Sequence, residues 1–165
     1  MKNELYIDHE CLDLLSNIMI DNQLTLSLAE SCTGGFLASC FTSISGSSSF
    51  FKGGIVSYSN ESKTTFLDIN QNDINQYGVV SKVVAEKMAN RVRQRFNTDY
   101  GLATTGYLEL SNLKLKPKNY YLHAWISISH QSSTISKSII LKDNRLQNMS
   151  TVACELLNLF VKEIP

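Results

Sequence analysis

Leu24-Thr25-Leu26-Ser27-Leu28-Ala29, running on into Glu30-Ser31-Cys32-Thr33-Gly34-Gly35, is the stretch that decides the fold. Apolar residues at alternate positions up to Ala29 predict a short strand. The strand stops at Glu30-Ser31, and Cys32-Thr33-Gly34-Gly35 supplies a glycine turn into a helix expected from Gly35 to Phe41. A strand that feeds a glycine turn and then a helix is a building unit of an α/β sheet.

Working outward, Leu12, Leu15, Ile18 and Met19 recur at helical spacing in a segment that begins near His9 and breaks at Asp21-Asn22. On the other side, Gly46-Ser47-Ser48-Ser49 marks a turn before a strand expected over Phe51 to Ser57. Gly53 and Gly54 within that strand point to a bulge or a close contact. Asn60 is expected to cap a short helix holding Lys63, Phe66 and Leu67, and Ser81 a longer one with Val84, Ala85, Met88 and Val92 inward. Arg91, Arg93 and Arg95 of the longer helix are expected to face water. Strands follow at Tyr100 to Thr105, Tyr120 to Ser129 and Thr134 to Leu141, with a loose loop at Ser111 to Asn119. A last helix from Arg145 to Lys162 turns Val152, Leu156, Leu159 and Phe160 inward. Early strands alternate with helices and late ones adjoin, so the expected architecture is a three-layer α/β/α sandwich on a mixed, mostly parallel sheet.

At 165 residues, 43% hydrophobic and 18% charged, the chain is expected to form one domain with one core. Lys plus Arg and Asp plus Glu both number 15, so the formal net charge is zero and no nucleic-acid partner is expected. Cys11, Cys32, Cys40 and Cys154 show no C-x-x-C spacing, and the start lacks a signal-peptide core; a reducing cytoplasm is the expected home. His9, His123 and His130 are scattered, so no metal site is expected, and no apolar stretch approaches membrane-spanning length.

Two uses are open to a hydroxyl between a strand end and a helix start. Ser31 or Thr33 could cap the helix, the commoner role for such a residue taken alone. Alternatively, unpaired amides of the first helical turn line an oxyanion hole and the serine attacks a carbonyl. Serine needs a base, and Tyr58-Ser59-Asn60-Glu61-Ser62-Lys63 supplies a lysine that, if desolvated, could take the proton. Tyr58 could relay that proton or orient the amine. The plain alternatives are a solvated helix face for Lys63 and a core position for Tyr58. Cys32 reads as a small residue packing the helix start, and Trp125 as core or subunit interface.

The motifs A-E-S-C-T-G-G, G-S-S-x-F-F-x-G-G-I-V-S-Y-S-N-E-S-K and Y-G-V-V-S with A-E-x-M-A together resemble the C-terminal domain of the CinA family, strongly from Leu12 to Thr105 and more weakly beyond. That family includes nicotinamide-nucleotide amidases, which convert nicotinamide mononucleotide to nicotinate mononucleotide and ammonia. The resemblance implies Ser31 as nucleophile with Lys63 and Tyr58 as its catalytic partners. It also implies substrate contacts from Glu30, Cys32, Thr33, Gly34 and Gly35, from Ser48, from Thr105 and Gly106, and from Arg145, which would hold a phosphate or carboxylate. No cofactor is implied, and the partners implied are a pyridine mononucleotide or similar small molecule and a second copy of the chain, as a homodimer or higher homo-oligomer. In the family this domain often follows a larger pyrophosphate-hydrolysing domain; with Met1 so close to the motifs, a stand-alone version is expected.

One departure stands out. After Thr-Thr-Gly the family continues I-A-G-P-G-G, a loop whose amides suit a phosphate, whereas this chain reads Thr105-Gly106-Tyr107-Leu108-Glu109-Leu110-Ser111. Tyrosine and leucine reach positive φ only at a cost, and Glu109 repels a nearby anion. The nucleotide cradle is therefore expected to be rebuilt or lost. Three functions follow: an amidase on the mononucleotide, an amidohydrolase with an altered substrate, or a ligand-binding or interaction protein that keeps the fold without catalysis.

Overall fold

Large and small side chains alternate along Leu26–Glu30 (β1), with Leu26 and Leu28 entering one core and Ala29 another, and all five positions are buried. The alternation in the sequence is thus one of size, because this strand lies inside the sheet with both faces covered. The computed structural model describes residues 4–109 and 121–164; the loop expected at Ser111 to Asn119 lies outside the described residues.

In chain order the remaining elements are α1 (His9–Asp21), α2 (Phe36–Thr42), a short 3-10 turn (Ser47–Ser49), β2 (Phe51–Val56), α3 (Asn60–Leu67), α4 (Gln71–Tyr77), α5 (Lys82–Phe96), β3 (Tyr100–Tyr107), β4 (His123–Ser129), β5 (Thr134–Ile140) and α6 (Arg145–Glu163). The strand order is β2-β1-β3-β4-β5. β1 runs parallel to β2 and β3, and β4 runs antiparallel to β3 and β5, so β4 alone points the other way among the described strands.

Leu12, Leu15, Phe41, Leu156 and Phe160 cover one face of the sheet from α1, α2 and α6. Leu67, Ile74, Val84, Met88 and Val92 cover the other from α3, α4 and α5. This is the three-layer α/β/α sandwich. The α5 face of the sheet is built from small residues: a Cβ on Gly101 would lie 2.2 Å from the Ala89 carbonyl oxygen, so helix and strand meet backbone to backbone there. In β2 the register against β1 shifts between Leu26 and Ser27, which pair with Phe51 and Gly53, and the ring of Phe96 fills the place of a Cβ on Gly53, 2.5 Å away. Both the bulge and the close contact suggested by the glycines are therefore present.

Local details differ from the sequence reading. Ser59 rather than Asn60 caps α3, its side chain and that of Ser62 exchanging bonds with each other's amides. Arg93 is half-buried, donating to Ser129 Oγ at 3.1 Å, while Leu157 rather than Leu159 is fully buried on α6. Helix α4 has no counterpart in the sequence pattern, since a seven-residue polar segment that buries only Ile74 leaves no periodic stripe. No described helix is long and apolar enough to cross a membrane.

Candidate active site

The carboxyl ends of β1, β2 and β3 meet where the chain leaves β1 to either side, the crevice in which α/β sheets place ligands. Backbone pairing continues just past the strands: Ser31 N donates to Thr104 O at 3.0 Å and Ser57 N to Glu30 O at 2.8 Å. These bonds hold the turn after β1 rigid, so Ser31 inherits the strand's alternation. Glu30 falls on the α2 side and Ser31 on the opposite side, toward α3.

The Glu30 carboxylate accepts from the amides of Gly35 (3.1 Å), Leu37 (3.1 Å) and Ala38 (2.8 Å). It therefore serves the N-terminus of α2 in place of a conventional cap, which is absent because Gly35 holds that position at φ +98°. The first-turn amides expected to surround Ser31 are occupied by this carboxylate. Among the described residues, the amides of Cys32 and Thr33 donate to no other residue and stand next to the Ser31 hydroxyl in sequence. Gly34, at φ +59°, supplies the reversal between strand and helix.

Ser59 fixes the first turn of α3, which turns Lys63 inward. The lysine is 1% exposed and Ser31 8%. Lys63 Nζ donates to Ser57 O at 2.6 Å and lies 2.8 Å from Ser31 Oγ. No carboxylate among the described residues pairs with it. Burial pushes its pKa down from the ordinary 10.5 to about 8, so a neutral amine is accessible near physiological pH. In that form its lone pair can receive the Ser31 proton while an N–H stays on Ser57 O. Beside them, burial drives the Cys32 thiol up to about 12, which leaves it protonated and a poor nucleophile.

A cavity of about 280 Å³ opens over Ser31 and Lys63. Cys32, Tyr58, Thr105, Gly106 and Arg145 of the sequence-expected residues also line it, as do Asn60, Val79, Val80 and Glu109. Glu30, Thr33, Gly34 and Gly35 do not: they shape the turn behind it, Thr33 Oγ1 meeting Thr104 Oγ1 at 2.8 Å. Ser48 is not brought there, because the Ser47–Ser49 turn feeds the opposite end of β2 and the Ser48 carbonyl accepts from Lys52 Nζ. The Tyr58 hydroxyl bonds neither Ser31 nor Lys63; it accepts from Arg145 Nη2 at the cavity mouth. Val79 and Val80 were legible only as part of the Y-G-V-V-S motif; Thr105 Oγ1 donates to Val79 O at 2.9 Å and draws that turn over the site.

Gly106 lies in extended β3, where a Cβ would meet that of Ala124 at 2.7 Å, so the strand continues where a glycine loop was the alternative. A larger cavity of about 580 Å³ between the segment before α1 and α6 contains Cys154, whose thiol burial holds protonated with help from the Glu155 charge; its lining offers the carboxylates of Glu4, Asp143 and Glu155 and no lysine or histidine. The chemistry therefore favours the smaller cavity. No cluster of three potential metal ligands occurs among the described residues.

The CinA C-terminal domain family matches residues 8–164. The "CinA-like protein" of Amoebophilus asiaticus is 34% identical over 152 residues, covering 92% of this chain and 36% of the relative. Another from Flavobacterium psychrophilum is 52% identical over 93 residues, covering 56% of this chain and 22% of the relative. The chain thus spans about a third or less of the length of these relatives. Among solved structures, competence damage-inducible protein A of Klebsiella pneumoniae superposes with a TM-score of 0.87 at 20% identity, covering 96% of this chain and 97% of that one. A CinA superfamily protein of Escherichia coli gives 0.85 at 24%, covering 98% and 95%. Those two likenesses carry the fold, and the match along nearly the whole sequence carries the family: the chain belongs to the CinA C-terminal domain family.

Proposed function

We propose that this chain is a serine amidohydrolase of small carboxamides, with nicotinamide mononucleotide as the first substrate to test. One observation carries the reading: a buried lysine amine without a carboxylate partner, 2.8 Å from the hydroxyl of Ser31. Neutral Lys63 takes the Ser31 proton as Oγ attacks the carboxamide carbon, and the amide of Cys32, next in sequence, is the candidate donor for the developing oxyanion. The resulting ammonium of Lys63 returns the proton to the departing nitrogen, which leaves as ammonia. Water then attacks the acyl-serine, giving up a proton to Lys63, which passes it to Ser31 Oγ as the acyl C–O bond breaks, releasing the carboxylic acid product and restoring both side chains. Tyr58 and Arg145 at the mouth are left to orient the far end of the substrate.

The test is ammonia release from nicotinamide mononucleotide and from a panel of small carboxamides, with Ser31→Ala as control. Expected is release abolished by the substitution and a serine-reactive probe bound covalently at Ser31. Equal release by both proteins, or no release from any member of the panel together with no labelling, refutes the reading. A binding protein without turnover is the second reading, favoured by the altered strand end at Gly106 to Glu109. It predicts a raised Tm with nucleotide and intact ligand afterwards.

A further inference from the structure

Beyond Lys63, which is enclosed and already bonded, Arg145 is the one cationic side chain lining the cavity among the described residues. It is where an anionic group on a substrate would be received, and it is already engaged. Glu109 Oε1 accepts from Arg145 Nη1 at 2.9 Å, and Tyr58 Oη accepts from Nη2. Glu109 is also the only carboxylate among the described residues that line the cavity.

Solitary surface ion pairs contribute little and swing freely, but both halves of this one sit on a fixed frame. Leu108, immediately before Glu109, is buried, and its carbonyl accepts from Asn148 Nδ2 at 2.8 Å. Asn148, 1% exposed, also donates to Asp143 O at 2.7 Å and accepts from Asp143 N at 3.1 Å. One buried amide side chain therefore ties the end of β3 to the start of α6, where Arg145 is the first residue and Asn144 the cap. The bridge spans 36 positions in sequence and is presented by backbone held from both sides. Nearby, no left-handed glycine offers amides in compensation, since those with positive φ are Gly34, Gly35, Gly46, Gly53 and Gly78, none lining the cavity.

We propose that Glu109 is a specificity-determining residue: its carboxylate fills the face of Arg145 that would receive an anion, so the cavity selects carboxamides with an uncharged far end over phosphorylated ones. The inference rests on the amidohydrolase reading and narrows its substrate class. A phosphate entering here meets a guanidinium whose charge is already balanced and a carboxylate that repels it.

Nicotinamide mononucleotide and nicotinamide riboside carry the same carboxamide and differ by the phosphate, so the ratio of their kcat/KM values isolates the effect. Glu109→Gln, isosteric and at the protein surface, is expected to raise the ratio of phosphorylated to unphosphorylated substrate on the order of tenfold at low ionic strength. Adding Arg145→Gln to that variant is expected to cancel the gain. A second readout does not need turnover: in the Ser31→Ala background, calorimetric binding of the mononucleotide should tighten on Glu109→Gln by a similar factor. An unchanged or lower kcat/KM ratio overturns the inference where the substrates turn over. Where neither turns over, the amidohydrolase reading falls separately, and mononucleotide bound equally by both Ser31→Ala proteins, or by neither, overturns the inference.

Discussion

Replacing Lys63 by methionine keeps the length of the buried side chain and removes the amine, and its effect on stability should change with pH in a calculable way. The folded-state pKa of about 8 lies below the ordinary 10.5, so between those values the unfolded chain binds more protons than the folded one and stability rises with pH. Below about 8 the full penalty applies, and above 10.5 it is gone. Keeping the amine buried therefore costs about 3 kcal/mol at pH 7 and about 2 kcal/mol at pH 9. Methionine relieves that cost but deprives the Ser57 carbonyl of its donor, a loss of about 1–3 kcal/mol that does not depend on pH. The constant term cancels when two pH values are compared. The stability of Lys63→Met relative to the parent should thus fall by about 1 kcal/mol between pH 7 and pH 9. Urea unfolding of both proteins at both values measures it, and every other titrating group is common to the pair. An equal gap at the two pH values would show that Lys63 titrates where an exposed lysine does, and the argument for a neutral base would fail.

Activity should follow the same ionisation. With the protonated amine unable to accept the Ser31 proton, kcat/KM on a turned-over carboxamide is expected to rise about tenfold per pH unit below about 8 and level off above it. A flat profile from pH 6 to 9 contradicts Lys63 as base. Glu30→Gln keeps the shape but loses the charge facing the start of α2 and turns an amide NH2 toward backbone donors; a loss of about 2–3 kcal/mol in urea unfolding is expected. Stability within about 0.5 kcal/mol of the parent would mean that the carboxylate is not what organises that helix.

What the sequence made legible and what it did not divide along a physical line. Strands and long helices announce themselves through side-chain period, so β1, β3, α1, α5 and α6 were readable where their stripes are unbroken. The mixed sheet followed from adjacent late strands. A cap one residue off, as at Ser59, or a short helix with one buried residue, as in α4, depends on local hydrogen bonds that several polar neighbours could equally make. Proximity of Ser31 and Lys63 could be anticipated because both follow the carboxyl ends of adjacent strands. By contrast, the bond from Arg145 to Tyr58 joins residues 87 apart, and the distance of Ser48 from the cavity depends on which end of β2 its turn feeds. No periodicity encodes either. Glu109 was legible as a charge in the wrong place for an anion, but not as a partner of Arg145.

Two consecutive residues keep the proposed serine-lysine pair free of a carboxylate. A carboxylate within reach of Lys63 would hold its amine protonated and end its use as a base. Glu30 is adjacent in sequence to the hydroxyl that the proposed base would deprotonate, yet the strand's two-residue period sends it to the other side of the sheet. There the three amides at the start of α2 engage it. The charge that builds the helix is thus kept away from Lys63 by the same alternation that aims Ser31 at α3. Shifting the serine by one position would place hydroxyl and carboxylate on each other's sides, so the order Glu30-Ser31, rather than the mere presence of both, is what the geometry requires.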